Sequence, residues 1–352
     1  MRGTTRRKFF GQICVLGALA VVRTRSRVSA AHAGEAAATG RPVGSALAAD
    51  VKVRMTTGLR ATVQCAIWLG TETGVFKKHG LDLSIPKLEV GGPESVAGLL
   101  RGDWDFLQTG TAPMTEAVLK GNDAVILLRN SDQHTSGYIM TKPSITTLEQ
   151  LAGKQVGVLT NVEVGQAGIV TRLTLESAGV TASYLGLGTF RNIYAALAAG
   201  TIDAGVLPVD LRFSGQTKYG WNAFETKRSA FVAPSIFGTT RRMIASNREV
   251  VLRAVRGFVE TIHVFKTRRD MVVPLLQRYI GIEDRKAVEN LYEFYVPLFP
   301  KVPRPSFGNF QSVRDYFADK YPAARTLQET DVADSSLIDE VERSGFIERL
   351  YG

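Results

Sequence analysis

The polar and apolar positions of this chain fall into two alternating series followed by a long helical stretch. Residues 50–56 alternate like a strand, and 62–73 carry apolar residues at helical spacing up to Gly74. A helix stop at His79-Gly80 introduces a strand over 81–85. Gly91-Gly92-Pro93 opens a helix to residue 100, with proline in the first turn, where its missing N–H costs little. A strand over 105–108, a helix over 112–120 and a fully apolar strand over 124–128 close the first series; the last is the pattern of a strand covered on both faces. The second series repeats the order: a short helix over 147–151, a strand over 155–159, a helix over 165–178 stopped by Gly179, a strand over 184–185, a helix over 193–199 stopped by Gly200, and a strand over 204–207. Such alternation predicts parallel sheets built from crossover units.

Beyond about residue 240 the period becomes helical, over 247–267, 272–279, 286–299, 310–319 and 336–350, with a Pro-rich loop over 297–305. The order fits one lobe made of the first series and the helical tail, and another made of the second series. The expected fold class is α/β: two Rossmann-like lobes joined by a two-strand hinge, with a helical C-terminal region. Crossings near His134–Tyr138 and Ala230–Ile236 assign 50–138 and 231–352 to lobe 1 and 139–230 to lobe 2. Such a hinge permits rigid-body closure over a ligand.

The N-terminus changes how composition is read. Thr5-Arg6-Arg7-Lys8-Phe9-Phe10 precedes an apolar run from Ile13 to Val22, and Ala31-His32-Ala33 offers a small-residue exit; together these form an export signal over 1–33 of the twin-arginine type. Ala46-Leu47-Ala48 is a second candidate exit, and Arg23, Arg25 and Arg27 are unusual between an apolar run and its cleavage site. The apolar run is roughly half the length of a bilayer span, so stable membrane insertion is not expected. Residues 34–49, rich in Ala and Gly, read as a linker. The leader's seven basic residues account for most of the formal net charge of +10 and leave +3, which argues against a nucleic-acid partner. Of the two cysteines, Cys14 is in the leader, so Cys65 has no internal disulfide partner, and the four scattered histidines show no metal-ligand spacing. No cofactor or metal is expected.

Five ordered segments carry a resemblance. Thr73-Gly74-Val75-Phe76-Lys77-Lys78-His79-Gly80-Leu81-Asp82-Leu83 is similar to the G-x-F-K-K-x-G-L-D stretch of periplasmic solute-binding proteins of the nitrate, sulfonate, taurine and thiamine-pyrimidine group. The segments from Leu99 to Phe106, Leu148 to Gly157, Ala196 to Ala204 and Asn247 to Val251 match in order, as does the terminal stretch from Ser344 to Tyr351. The resemblance implies a type II periplasmic binding protein fold. It also implies a monomeric, non-enzymatic periplasmic protein that captures a small molecule for an ABC permease with a separate ATPase. The alternatives on this fold are a pyrimidine-synthase-like enzyme or a ligand-sensing partner of a membrane receptor. The enzyme branch bears a cysteine-rich motif that is missing here, and the chain contains no G-x-x-x-x-G-K-S/T, G-x-S-x-G or H-E-x-x-H segment. A repeated Leu-x-x-Gly-x-x-Asp pattern, read on Leu100, Gly102 and Asp103 and on Leu197, Gly200 and Asp203, is a helix stop turning into a strand.

In open α/β sheets ligands sit beyond the carboxyl ends of strands, where helices begin. That rule selects Thr57, Gly58 and Arg60, then Gly92, then Thr109, Gly110 and Thr111, and in the second lobe Thr160, Asn161 and Glu163. Asp210 follows a later strand, and Tyr138 lies at the crossing. Small and hydroxyl residues leave backbone N–H groups free to meet a ligand, although turns and N-caps use the same types. Arg60 suits a carboxylate, sulfonate or phosphate. Glu163 and Asp210, if they face the cleft, repel a simple anion and favour a ligand with an N–H donor. The expected ligand is therefore a small anionic or heteroaromatic compound, with Trp68, Tyr138 and Phe190 as candidate walls.

Overall fold

The computed structural model describes residues 50–131, 137–163, 165–226, 235–307 and 310–352. The leader, the linker and the crossings around His134 and Ala230 lie outside these residues. The first series runs through β1 (Val51–Thr57), a 3-10 turn at Thr62–Gln64, α1 (Ala66–Glu72), α2 (Val75–Lys78), β2 (Leu81–Ser84), α3 (Gly92–Arg101), β3 (Phe106–Thr109), α4 (Thr111–Leu119) and β4 (Ala124–Arg129). The second comprises β5 (Tyr138–Thr141), a 3-10 turn at Glu149–Leu151 where a helix is predicted, β6 (Gln155–Val158), α5 (Gln166–Ser177), β7 (Ser183–Gly186), α6 (Phe190–Ala198), β8 (Ala204–Leu207), α7 (Val209–Tyr219) and β9 (Asn222–Glu225). The chain returns to the first sheet as β10 (Ile236–Thr240).

Among the described residues there are two five-stranded sheets, ordered β2-β1-β3-β10-β4 and β7-β6-β8-β5-β9. The expectation of parallel sheets is corrected: β10 runs antiparallel to β3 and β4, and β5 antiparallel to β8 and β9. Register explains the reversal. Tyr138 starts β5 opposite Leu207, the last residue of β8, and Ile236 starts β10 opposite Thr109, the last residue of β3. The chain therefore enters each sheet at its carboxyl end, and the entering strand must run backwards. Neither reversed strand announces itself in sequence. Both are buried along their whole length, so no polar alternation marks them.

The two sheets share one plan, and the repeated motif belongs to it, although the aspartate differs from the one assigned above. The spacing falls on Leu99, Gly102 and Asp105. The Asp105 carboxylate accepts from the backbone N–H of Arg54 on β1 (2.8 Å) and from its guanidinium (2.9 Å). Asp203 stands equivalently before β8, accepting from the Gln155 N–H of β6 (3.4 Å) and pairing with Lys142 (3.2 Å). Asp103 instead pairs with Arg101 on the surface. Gly102 and Gly200 have φ of 83° and 75°, the left-handed conformation that ends a helix without a Cβ penalty.

The helical tail covers the first sheet. α8 (Arg241–Thr267) packs against α1, α2, β2, β4 and β10, burying Val251, Val255, Phe258, Ile262 and Phe265 at three- and four-residue spacing. It starts ahead of the predicted residue 247 because the Thr240 hydroxyl caps Met243 N–H (3.1 Å), but Asn247 leaves helical geometry (φ −141°, ψ 44°). The regular stripe thus begins where the periodicity places it. α9 (Arg269–Leu276), a π turn at Gln277–Gly281 and α10 (Arg285–Tyr295) follow, then α11 (Phe310–Ala318), α12 (Glu329–Val332), α13 (Ser336–Arg343) and α14 (Phe346–Tyr351). Gly345, with φ of 70°, splits the helix predicted over 336–350.

Packing in the first lobe leaves little slack. A Cβ on Gly98 of α3 would lie 2.1 Å from the Trp104 ring, and the buried indole is pinned by its N–H to the Ser95 carbonyl (2.7 Å). Gly98→Val is expected to destabilise the protein by roughly 1–3 kcal/mol through overpacking. A lower urea midpoint with an unchanged slope is the readout; an unchanged midpoint would mean that the indole moves aside freely.

Candidate functional site

The carboxyl ends of both sheets face one cavity of about 50 Å³, room for a few water molecules. The first lobe contributes Leu59 and Gln64 after β1, Gly92 at the start of α3, and Thr109 and Gly110 after β3. The second lobe contributes Leu159 and Thr160 after β6, Gln166 on the first turn of α5, Phe190 at the start of α6 and Pro208 after β8. Tyr295, the last residue of α10, completes the wall from the helical tail. Among the described residues, none of the lining side chains carries a formal charge.

Three loops of the first lobe converge on the Thr109 hydroxyl. A Cβ on Gly58 would stand 3.3 Å from Thr109 Oγ1, and one on Gly92 would stand 3.2 Å away. Among the described residues Thr109 Oγ1 is buried without a hydrogen-bond partner, as are Thr57 Oγ1 and Gln108 Nε2. Each such group costs about 1–3 kcal/mol while unsatisfied. Gln64 is held by its Oε1, which accepts the Leu59 N–H (2.9 Å).

The lobes are closed on each other in this structure. Gln166 Oε1 accepts the Ala112 N–H across the cleft (3.1 Å), and a Cβ on Gly110 would lie 2.6 Å from Gln166 Cβ. Below the cavity Asp210 Oδ1 accepts from the backbone N–H of Thr62 (2.8 Å) and its hydroxyl (2.5 Å), while Tyr295 Oη donates to Oδ2 (3.4 Å). At the rim Arg191 Nη2 donates to the Ile280 carbonyl (2.6 Å), and Tyr316 Oη donates to the Glu163 carbonyl (2.9 Å).

The residues selected by sequence divide accordingly. Gly92, Thr109, Gly110 and Thr160 line the cavity, and Gly58 lies directly behind Thr109. Thr57 and Thr111 are buried outside the lining, and Asn161 is exposed, its Oδ1 accepting the Glu163 N–H (3.0 Å). Arg60 is at the rim, its Nε 3.9 Å from Glu89, a residue in the left-handed region (φ 60°) whose carboxyl is pushed up by burial against the pull of Arg60 and Arg191. Glu163 points outward, 4.0 Å from Arg172, because the loop after β6 turns its carbonyl rather than its side chain toward the other lobe. Tyr138 is buried in β5 beneath the Arg212 guanidinium (4.3 Å from the ring centre), and Trp68 is stacked on Tyr279 (4.3 Å). Asp210 is buried in the seam instead of facing the cavity. Sequence reasoning missed Gln64, Gln166 and Tyr295. Gln166 follows Gly165 at a helix start after a strand and was open to the same rule, whereas Tyr295 comes from a distant helix with no local sign.

A closed cleft between two α/β lobes, walled by strand ends and helix starts, is the architecture of the type II periplasmic binding protein fold. The chain belongs to the NMT1/THI5-like family, whose profile matches residues 62–262. It is similar in structure to the alkanesulfonate-binding protein SsuA from Xanthomonas axonopodis pv. citri bound to MOPS, at 17% identity over 80% of this chain and 96% of that one, with a TM-score of 0.64. The periplasmic nitrate-binding protein NrtA from Synechocystis PCC 6803 is also similar (12% identity, 84% and 89% of the two chains, TM-score 0.63). So is a mutant of DszB in complex with biphenyl-2-sulfinic acid (13% identity, 84% and 99%, TM-score 0.54). At these identities the likeness is one of fold. No curated protein sequence matches the chain. No helix among the described residues is long and apolar enough to cross a membrane, and none of their His, Cys, Asp and Glu side chains cluster as a metal site.

The close approach of Gly110 to Gln166 makes a test of closure. Under conditions where the wild type is closed, Gly110→Val should wedge the lobes apart and raise the radius of gyration in small-angle scattering while leaving the helical circular dichroism unchanged. An unchanged radius under those conditions would show that the two surfaces do not meet in the closed form.

Proposed function

We propose that this protein is a periplasmic solute-binding protein that closes around a small, neutral, largely apolar organic molecule and delivers it to an ABC permease. The observation that carries this reading is the uncharged cavity shared by both lobes. Aliphatic and aromatic walls from Leu59, Leu159, Phe190 and Pro208 suit a planar ring, while Gln64, Thr109, Gln166 and Tyr295 supply hydrogen bonds without charge. A heteroaromatic ligand meets both demands. A bare anion does not, since Arg60 stands at the rim beside Glu89 rather than in the wall. The closed volume is too small for a planar ring, so the ligand enters an open form and, while its contacts to both lobes favour closure, holds them somewhat further apart than they stand here.

The division between lobes falls at the two crossings, close to residues 138 and 230, and residues 1–33 direct export by the twin-arginine route. The protein works as a monomer. A cysteine-based enzymatic reading would need Cys65 as its nucleophile, and Cys65 is a poor one. Burial first, and the neighbouring Asp210 second, push its thiol well above the ordinary value, so it stays protonated.

Thermal-shift screening of the protein tests the ligand class. Neutral heteroaromatic compounds should stabilise it, by about 2.7 kcal/mol at a hundred times Kd, whereas nitrate, sulfate and alkanesulfonates should not. Gln166→Ala and Thr109→Val should each weaken the best neutral hit at least tenfold, and Arg60→Ala should leave it unchanged. Stabilisation by anions alone, lost in Arg60→Ala, would overturn the reading. Mass spectrometry after incubation should return the ligand intact; a converted product would favour the enzyme.

A further inference from the structure

Asp210 sits on the first turn of α7, immediately below the cavity, and is buried in the seam between the lobes. Its oxygens are met by the Thr62 N–H and hydroxyl from the turn after β1 and by the Tyr295 hydroxyl from α10. The titratable groups around it are the Cys65 thiol, the Tyr295 phenol and, beyond Tyr295, the Tyr138 phenol of β5. Arg212, on the same helix, turns its guanidinium onto the Tyr138 ring and its Nε to Gln216. Among the described residues no cation forms an ion pair with Asp210. A carboxyl group therefore bridges the two lobes without a counter-charge, and it touches a residue of the cavity wall.

We propose that Asp210 is the positioning residue of the cleft: it sets the direction of the Tyr295 hydroxyl and makes closure of the lobes take up a proton. This rests on the clamshell reading above. In the carboxylate form Tyr295 donates its proton to Asp210 Oδ2, leaving its oxygen lone pairs to accept from a ligand. When Oδ2 carries the proton, that O–H donates to the Tyr295 oxygen, and the phenol O–H is released toward the cavity as a donor. The ligand atom opposite Tyr295 in the protonated closed form is then an acceptor, such as a ring nitrogen or a carbonyl oxygen.

The sign follows from desolvation. Burial in the closed seam pushes the Asp210 carboxyl up, against the opposing pull of the Thr62 and Tyr295 hydrogen bonds, whereas opening returns it to water and to its ordinary value. The closed form thus holds the proton more tightly than the open form. Closure therefore strengthens as pH falls through the closed-state value and levels off once the open form is protonated as well.

The test needs no ligand. The full chain is spin-labelled once on each lobe, through bio-orthogonal residues that leave the cysteines untouched, and inter-lobe distances are measured from pH 8 to pH 4. The wild type should shift from open to closed as pH falls. Asp210→Asn, neutral at every pH, should lose that dependence. Tyr295→Phe removes a hydrogen bond that the closed form makes in both protonation states, so it should keep the pH dependence but move the midpoint to lower pH; it carries the test alone if Asp210→Asn does not fold. A wild-type profile in Asp210→Asn, or an unmoved midpoint in Tyr295→Phe, would overturn the proposal while leaving the clamshell intact. A single distance at every pH in every variant would remove the clamshell reading, and the proposal with it.

Discussion

The chain must leave each sheet and return to the other at the same end, the carboxyl end of the strands. Everything else about the molecule is arranged around that constraint. Tyr138 and Ile236 each begin a strand opposite the last residue of a neighbour, so β5 and β10 run backwards between strands of opposite direction. Both reversed strands are interior strands of their sheets rather than edges. Each passage between the sheets thus leaves from an edge strand, β4 or β9, and enters at an interior one, and the loops that follow β1, β3, β6 and β8 are left facing one another over a single gap.

What fills that gap is chemically plain. Glycine backbones at Gly58, Gly92 and Gly110 allow close approach, and neutral amides and hydroxyls supply direction. The unsatisfied Thr109 and Gln108 atoms are a cost that the folded protein bears with no visible return within its own chain. Such strain is more common at functional sites than in a resting core. Formal charge is kept at the margins, on Arg60, Glu89 and Arg191, or locked in the seam at Asp210.

Much of this order is legible in the sequence, because the βα units announce themselves through strong periodicity and glycine stops. β8 and most of the helices fall close to their predicted spans. The reversed strands escape because Tyr138–Thr141 and Ile236–Thr240 are buried on both faces and too short for their composition to separate strand from loop. Of the residues picked out past strand ends, Gly92, Thr109, Gly110 and Thr160 line the cavity. Glu163 and Asp210 do not, since position after a strand does not say which way a side chain turns. Tyr295 was beyond reach for a different reason: its place in the wall is set by how α10 packs on α7, a tertiary fact with no local signature.

Cys65 gains a use from where it lies. It is the one cysteine among the described residues, 2% exposed and adjacent to the Asp210 seam. Alkylating reagents can reach it only when that seam parts or the lobe unfolds. The rate at which the thiol is consumed is therefore a clock for breathing of the two halves, readable on unmodified protein and in crude extracts.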